Sequence, residues 1–303
     1  MRQQIKRVIY GAAAGLVVIV TITLLLGGKG DNDREKEKQK EETKISQEEA
    51  AEEKKQKTIK KVLKKDEYGK ELAAVYKKYP QTEKLLLNRE DYPDWLVKYF
   101  VGHTSAIEWV LAYPEHMEKP MEEINQAALE PVELKDYYSR GKIPVYYQWG
   151  EAWGYASYGE GTLAVDGCGP TCLSMVATGL TGDVSLTPKK VADISAASGF
   201  FVSGLGTDWL MMTQGAAQLG IYARQIENWT TDTILAELNA GNPVIASMGP
   251  GDFTSQGHFV VMVGVTADGK IIVNDPNSRV NTRKKWEPQR LLDQMKGGWA
   301  YSM

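Results

Sequence analysis

The run DGCGPTCLSM at 166–175 constrains the fold of this chain most, because it places Cys168 directly before a predicted helix start. Pro170 suits the first helical turn, since its φ angle is preset and the turn has no use for the N–H group that proline lacks. The segment 171–178 has no helix breaker, and Gly179 stands where a glycine commonly ends a helix. Unpaired N–H groups and the helix dipole then favour the thiolate of Cys168, the nucleophilic form. On this run alone, a cysteine in a tight glycine-flanked turn is an equal alternative.

A long apolar stretch near the N-terminus predicts a membrane anchor. Residues 8–26 are uncharged and dominated by Ala, Val, Ile and Leu, and Arg2, Lys6 and Arg7 precede them. As a helix the stretch would run about 28 Å, close to the ~30 Å hydrocarbon core of a bilayer. The sequence after it offers a poor signal-peptidase site, so we expect an uncleaved single-pass anchor at 1–28.

The orientation of this anchor has two conflicting signals. Lys and Arg are more numerous just after the stretch than before it, and that count favours a cytoplasmic C-terminal side. However, long domains translocate largely regardless of charge, and these lysines alternate with Asp and Glu. We expect a cytoplasmic N-terminus, with the rest of the protein held at the cell membrane outside the cytoplasm.

Beyond the anchor, composition divides the chain into three parts. Residues 29–65 are almost all Glu, Lys, Gln and Asp, which cannot bury a core and predict a charged stalk, part helical and part disordered. Residues 66–141 predict four short helices with aromatic faces, the last stopped at Pro114, and no chemistry of their own. Residues 142–303 predict an α+β domain, because helical patterns come first and apolar strands with a hairpin signal follow.

A histidine and an acid complete the nucleophilic site that Cys168 suggests. His258 is the one histidine of three that begins a predicted strand, 258–265. The pair Asp268-Gly269 predicts a hairpin into the strand 270–274, and Asp275 follows it directly. In this arrangement Cys168 attacks, His258 carries the proton and Asp275 orients the ring.

The identity of the orienting residue stays open. A plain hairpin would set Asp275 opposite Val261, so its carboxylate has to reach diagonally along a twisted strand pair to meet His258. Asn274 and Asp252 are therefore alternative orienters.

An ordered set of motifs resembles a known family. The chain is similar to a Gram-positive C39-like family cysteine peptidase, which has a papain-like fold with the cysteine on an N-terminal helix and the histidine and acid on an antiparallel sheet. The motifs are Gln148-Trp149, Trp153-Gly154, Tyr158-Gly159, 167–171, 249–252, Gly257-His258-Phe259 and 274–278. The resemblance covers 143–303 and implies that Gln148 donates its side-chain amide to an oxyanion hole, beside the backbone N–H of Cys168. A glutamine that serves only a local turn is the alternative.

Several function classes are disfavoured. The net charge of −3 and the lack of a polybasic patch argue against nucleic acid as a partner. Cys168 and Cys172 are four residues apart, a poor spacing for a disulfide, so we expect free thiols. A metal site from these cysteines with His258 and Asp275 is a weak alternative, and we expect neither metal nor cofactor.

The sequence thus predicts a membrane-anchored cysteine peptidase that acts, as a monomer, on a peptide or protein outside the cytoplasm. A cell-wall peptide amidase or transpeptidase with the same residues is the first alternative, and a catalytically silent binding module is the second. Leader-peptide cleavage after Gly-Gly, known for exporter-fused C39 peptidases, is not implied, because the chain has no GxxxxGK[ST] loop. Trp149, Trp153 and Trp209 are candidates for a cleft wall, with aromatic core as the alternative.

Overall fold

The structure is a computed structural model that describes residues 31–131 and 141–303. The predicted anchor at 8–26 lies outside the described residues. Within those two ranges no helix is both long and apolar enough to cross a bilayer. The chain divides into two compact units, Met1–Asp66 and Glu67–Met303.

The first unit contains the charged segment, which forms one helix. Helix α1, Asp31–Lys65, runs for 35 residues without interruption, where the composition predicts a mixture of helix and disorder. Pairs such as Glu53–Lys57, whose charged groups are 2.7 Å apart, lie one turn apart along it. Each exposed pair of this kind stabilises a helix by only about 0.2–0.5 kcal/mol, so their number along the helix matters more than any one of them.

The second unit begins with a helical region of five short helices. These are α2 Gly69–Lys78, α3 Glu83–Leu87, α4 Asp94–Gly102, α5 Ile107–Met117 and α6 Met121–Ala127. The prediction that Pro114 stops a helix is wrong, because Pro114 lies inside α5. A proline removes one backbone hydrogen bond, and the burial of Ile107, Trp109 and Val110 on the preceding turns keeps the helix in place.

An antiparallel sheet forms the centre of the remaining part, which confirms the mixed helix-and-sheet class. Its strands are β5 Tyr222–Gln225, β6 Val244–Met248, β7 His258–Val265, β8 Ile271–Asn274, β9 Lys285–Trp286 and β10 Met295–Ser302. They lie in the order β5-β10-β6-β7-β8-β9, and each neighbouring pair is antiparallel. Two small hairpins stand apart from it, β1 Ser157–Tyr158 with β2 Gly161–Thr162, and β3 Phe201–Val202 with β4 Gly206–Thr207.

Helices cover both faces of this sheet. The helices of this part are α7 Leu163–Asp166, α8 Cys168–Thr181, α9 Pro188–Ala197, α10 Gln214–Gln218, α11 Thr231–Asn239, α12 Arg279–Arg283 and α13 Pro288–Leu292. Alternate residues of β7 face opposite layers: Val261 joins the core formed with α8, α9 and α10, and Val260 joins the core formed with α11 and α13. The strand that starts with His258 is therefore buried on both faces and held rigidly.

The helix that begins at Cys168 continues past its predicted end. Gly179 is helical and buried, and a Cβ atom there would lie 2.9 Å from the Cα atom of Ile143, so this glycine lets the chain at Ile143 pack against the helix. The residue that ends α8 is Gly182, whose φ of 76° is the left-handed conformation that glycine adopts readily. The prediction of Gly179 as the end of the helix is therefore wrong by three residues.

Candidate active site

Two glycines explain how Cys168 comes to stand at the first position of α8. A Cβ atom on Gly167 would lie 2.5 Å from the carbonyl oxygen of Leu163, so only glycine permits the sharp passage from α7 into α8. A Cβ atom on Gly169 would lie 2.7 Å from the hydroxyl oxygen of Thr207, so glycine also lets β4 approach the start of the helix. Both glycines serve close packing around the thiol, and the first-turn N–H groups of α8 lie beside it.

An irregularity in the β7–β8 hairpin brings His258 and Asp275 into register. Val261 lies opposite Asn274 and Met262 opposite Val273, but Gly264 lies opposite Ile272, so Val263 is an extra residue on β7. Extended by one residue, this register places Asp275 opposite Val260 rather than opposite Val261. Because side chains alternate along a strand, this one-residue shift turns Asp275 to the same side as His258.

His258 and Asp275 form a buried hydrogen bond. The Nε2 atom of His258 lies 2.8 Å from Oδ1 of Asp275, and the two residues are 7% and 1% exposed. The other ring nitrogen, Nδ1, is left without a contact to Asp275, and Cys168 and His258 line one common cleft. The structure therefore brings together Cys168, His258 and Asp275.

Backbone and amide donors fix the Asp275 carboxylate from the other sides. The backbone N–H of Asn277 donates to Oδ1 at 2.8 Å, and Nδ2 of Asn281 donates to Oδ2 at 2.8 Å. Ser278 accepts a hydrogen bond from the backbone of Asn281 and so caps α12, the helix that carries this second donor. Sequence reasoning did not identify Asn281, although the spacing of Ser278 and Asn281 in a helix-cap pattern is the signal that marks it.

The surroundings of His258 favour its protonated form. Burial removes water from the ring and by itself lowers the pKa, but the charge and hydrogen bond of Asp275, together with Cys168, outweigh it and raise the pKa to about 10. An imidazolium at neutral pH is the partner that a thiolate needs.

Cys172 has a different environment. It lies one turn further along α8 and is fully buried, and it forms no disulfide with Cys168. Burial, followed by the charges of Cys168 and Asp275, raises the pKa of Cys172 well above the ordinary value for a thiol. Cys172 is therefore a core residue and an unreactive thiol at neutral pH.

A cleft of about 600 Å³ opens at Cys168 and His258. Other lining residues come from the β1–β2 turn, α7, the β3–β4 hairpin and the residue Trp209 after it, β6, and the start of β7 with the two residues before it. They are Glu160, Asp166, Phe201, Gly204, Leu205, Gly206, Thr207, Trp209, Ser247, Gln256, Gly257 and Phe259. Burial, and then the charge of Glu160, raises the pKa of Asp166. Among the three tryptophans proposed for a cleft wall, Trp209 lines the cleft and is 43% exposed, whereas Trp149 and Trp153 are core residues.

Gln148 lies close to the site but its amide is engaged. Its backbone N–H donates to the carbonyl oxygen of Pro276, which ties its segment to the loop after Asp275. Its side-chain Nε2 donates to the carbonyl oxygens of Ala164 at 2.7 Å and of Val165 at 3.2 Å. Its Oε1 atom is buried without a hydrogen-bond partner. The structure thus differs from the expected free donor, since an oxyanion can receive this amide only if one of the two carbonyl contacts is released.

The two alternative orienters have other partners. Nδ2 of Asn274 donates to the carbonyl oxygen of Pro144 at 3.1 Å. Asp252 accepts hydrogen bonds from Arg290 at 2.7 Å and from Gln294 at 2.9 Å, and this lowers its pKa. Neither residue is bonded to His258, whereas Asp275 is. Within 31–131 and 141–303, no group of three or more His, Cys, Asp or Glu side chains could hold a metal ion.

Comparisons with known proteins add a family to this geometry. The model of the Peptidase_C39 like family matches residues 141–302, more than half of the 303-residue chain. A crystal structure of a candidate C39-like peptidase from Bacillus anthracis is similar at 14% identity and a TM-score of 0.33, over 53% of this chain and 94% of that one. Among curated proteins no match is found.

The different environments of the two thiols give a direct prediction. At pH 6 His258 is protonated, so we expect iodoacetamide to label Cys168 about tenfold faster than Cys172, or more. Mass spectrometry of the alkylated peptides measures the two rates, and Cys172→Ala is the matched control that should leave the fast rate unchanged. Preferential labelling of Cys172 would overturn the assignment of Cys168.

Proposed function

Because the chain belongs to the Peptidase_C39 like family, we propose that it is a cysteine peptidase that hydrolyses peptide bonds through Cys168, His258 and Asp275. The observation that carries the proposal is the buried hydrogen bond between His258 and Asp275 at the end of a cleft that contains Cys168. A papain-like arrangement is part of the proposal. Its support is a helix that starts with the cysteine and an antiparallel sheet whose neighbouring strands carry the histidine and end next to the acid.

In the proposed reaction, the Cys168 thiolate attacks the carbonyl carbon of the scissile peptide bond. His258 then donates its proton to the departing amine, and a thioester with Cys168 remains. Water attacks the thioester, with His258 as the base that takes its proton, and releases the carboxylic acid. Asp275 keeps the ring oriented through Nε2, and its burial strengthens the interaction with the imidazolium.

We propose that Gln148 supplies a donor for the oxyanion that forms in both steps. The contact between Nε2 and the carbonyl oxygen of Val165, at 3.2 Å, is longer than the contact with Ala164, at 2.7 Å. It is therefore the weaker hydrogen bond and the one that a charged oxyanion can replace at the lower cost. The contact with Ala164 would hold the amide in place during this exchange.

We also propose that the enzyme is anchored in the cell membrane with its catalytic part outside the cytoplasm. The apolar stretch at 8–26 and the basic residues before it support an anchor. Helix α1, of 35 residues, has a length of about 50 Å at 1.5 Å per residue. A polar helix of that length suits a spacer between an anchor and a folded enzyme.

Substitutions at the orienting residue test the peptidase proposal. Asp275→Asn should keep much of the turnover of a cleavable peptide, since an amide oxygen still accepts a hydrogen bond from the ring. Asp275→Ala should lose considerably more, and His258→Ala and Cys168→Ala nearly all of it. The kcat and KM values on a peptide selected from a library measure the series. Asp252→Ala is the matched control, and an inactive Asp252→Ala enzyme beside a fully active Asp275→Ala enzyme would mean that the orienter is misplaced.

Formation of an amide with an added amine, in place of hydrolysis, would support the transpeptidase alternative.

The role of Gln148 gives a second prediction. Gln148→Ala should lower kcat by about 10²–10³ while KM stays near that of the parent, the size expected for one lost oxyanion donor. Steady-state kinetics and thermal unfolding should be measured on the same sample. A lower melting temperature with kcat within a few-fold of the parent would instead show that Gln148 acts only by holding the turn at Ala164.

The proposed orientation is tested in intact cells. Protease added outside should degrade the part beyond residue 65, and an antibody against that part should no longer detect it. A cytoplasmic protein followed in the same cells is the control for lysis. If the part beyond residue 65 is protected until the membrane is broken, the catalytic part is cytoplasmic and the count of Lys and Arg gives the correct orientation.

A further inference from the structure

A tyrosine of the helical region reaches the candidate active site from outside the part that matches the family. Tyr99 lies on α4, and its phenol oxygen is 2.9 Å from the carbonyl oxygen of Ala164 and 3.0 Å from Oδ1 of Asn277. Ala164 belongs to α7, directly before the Cys168 helix, and Asn277 belongs to the loop directly after Asp275. One side chain therefore touches both segments that frame the site.

The chemistry of these contacts defines the direction of each hydrogen bond. A phenol has one hydrogen and the Ala164 carbonyl has none, so Tyr99 donates to Ala164. The phenol oxygen then needs a donor from Asn277. The N and O atoms of a side-chain amide are assigned from their hydrogen-bond partners, so we turn the Asn277 amide by 180°. Its nitrogen then donates to the phenol oxygen. With this orientation the phenol oxygen of Tyr99 donates one hydrogen bond and accepts another.

Both contacts lead on to residues of the proposed reaction. The Ala164 carbonyl also accepts the Nε2 amide of Gln148 at 2.7 Å. The backbone N–H of Asn277 donates at 2.8 Å to the same Asp275 oxygen that binds His258. Only Ala164 therefore stands between the phenol of Tyr99 and the proposed oxyanion donor Gln148. Only Asn277 stands between the phenol and the orienting acid Asp275.

The surroundings of Tyr99 keep this phenol protonated and its ring in place. Burial, and then the negative charges of Asp275 and Cys168, raise the pKa of Tyr99 far above its ordinary value, so the hydroxyl remains a donor at every physiological pH. The ring stacks on His103 with the ring centres 4.5 Å apart, and it meets the edge of Trp109 at 5.8 Å. His103 directly follows α4 and Trp109 lies in α5, so the helical region fixes the position of the hydroxyl.

We propose that Tyr99 is a positioning residue of the active site, which makes the helical region part of the catalytic unit. Its hydroxyl fixes the Ala164 carbonyl that holds Gln148 and the Asn277 loop that holds Asp275, and through Asp275 it maintains the His258–Cys168 pair. The proposal rests on the peptidase function proposed above. It assigns a role to the part at 66–131 for which the sequence indicates no chemistry.

The structure supplies a matched control for this proposal. Tyr155 also joins the two parts through its phenol, which donates to the carbonyl oxygen of Trp109 at 2.6 Å, but its hydroxyl has no hydrogen bond to a residue of the site. Loss of either hydroxyl should weaken the packing of the helical region to a similar extent. Only loss of the Tyr99 hydroxyl should change the chemistry.

The test compares Tyr99→Phe with Tyr155→Phe in the full-length chain. The rate of Cys168 alkylation by iodoacetamide between pH 5 and 9 reports the thiolate–imidazolium pair without any need for a substrate, and thermal unfolding reports stability. We expect Tyr99→Phe to react about tenfold more slowly at pH 6, the size expected for one lost hydrogen bond, with its pH profile moved to higher pH. Tyr155→Phe should keep the parent rate within about twofold, and on a peptide substrate only Tyr99→Phe should lower kcat with KM unchanged. An unchanged rate for Tyr99→Phe, or an equal loss in both variants, overturns the proposal.

A second variant tests the proposal if Tyr99→Phe does not fold. Asn277→Ala removes the side-chain contact with Tyr99 and leaves the backbone bond to Asp275 in place. Slower alkylation at an unchanged melting temperature supports the proposal, and the parent rate contradicts it. Where both variants fold, the double variant should be no slower than Tyr99→Phe alone, because the effects of coupled residues are not additive.

His258→Ala separates the two proposals. If Cys168 in this variant is alkylated as fast as in the parent, the proposed peptidase function fails, whatever the result for Tyr99→Phe.

Discussion

The buried hydrogen bond between His258 and Asp275 is the interaction on which the rest of the site depends. Transfer of an ionised carboxylate and an imidazolium out of water costs several kcal/mol per ion unless good geometry and further hydrogen bonds offset it. Here Asp275 is 1% exposed, so its charge has to be compensated inside the protein. His258 and the backbone N–H of Asn277 form hydrogen bonds with Oδ1 of Asp275. The side-chain amide of Asn281 donates to Oδ2. The hairpin, the loop after it and α12 are together the means of satisfying one carboxylate.

This requirement explains local features that no simple strand pattern contains. Without the extra residue Val263 on β7, Asp275 would lie opposite Val261 and would face away from His258. On the helix side, Gly169 allows Thr207 of β4 to pack against the turn that carries the Cys168 thiol. The glycines of the 166–175 run are thus needed for space around Cys168, and none of them has a positive φ.

Much of this architecture could be predicted from sequence because its signals are local. The Cys168 helix start, the strand His258–Val265 and the Asp268-Gly269 hairpin each depend on neighbouring residues, and the structure contains them. The features that were missed depend on contacts between distant residues. The sequence predicts a helix end at Gly179 because a glycine can end a helix or admit a neighbouring chain, and only the contact with Ile143 separates the two uses. The bulge at Val263 has one weak local signal, Gly264 inside the strand, because a glycine within a strand can mark a bulge.

The same distinction applies to the helical region, where the sequence shows aromatic helices and no catalytic motif. One half of its proposed contribution acts through a carbonyl group, because the oxygen of Ala164 has two lone pairs and accepts hydrogen bonds from both Tyr99 and Gln148. A carbonyl group that accepts two hydrogen bonds is fixed in direction. One N–H of the Gln148 amide donates to this carbonyl, and the other N–H makes the longer contact with Val165. If the phenol of Tyr99 were absent, the carbonyl could turn, and the amide would lose the fixed point that the proposed exchange of Val165 for an oxyanion requires. A residue that never meets the substrate can in this way set the geometry of one that does.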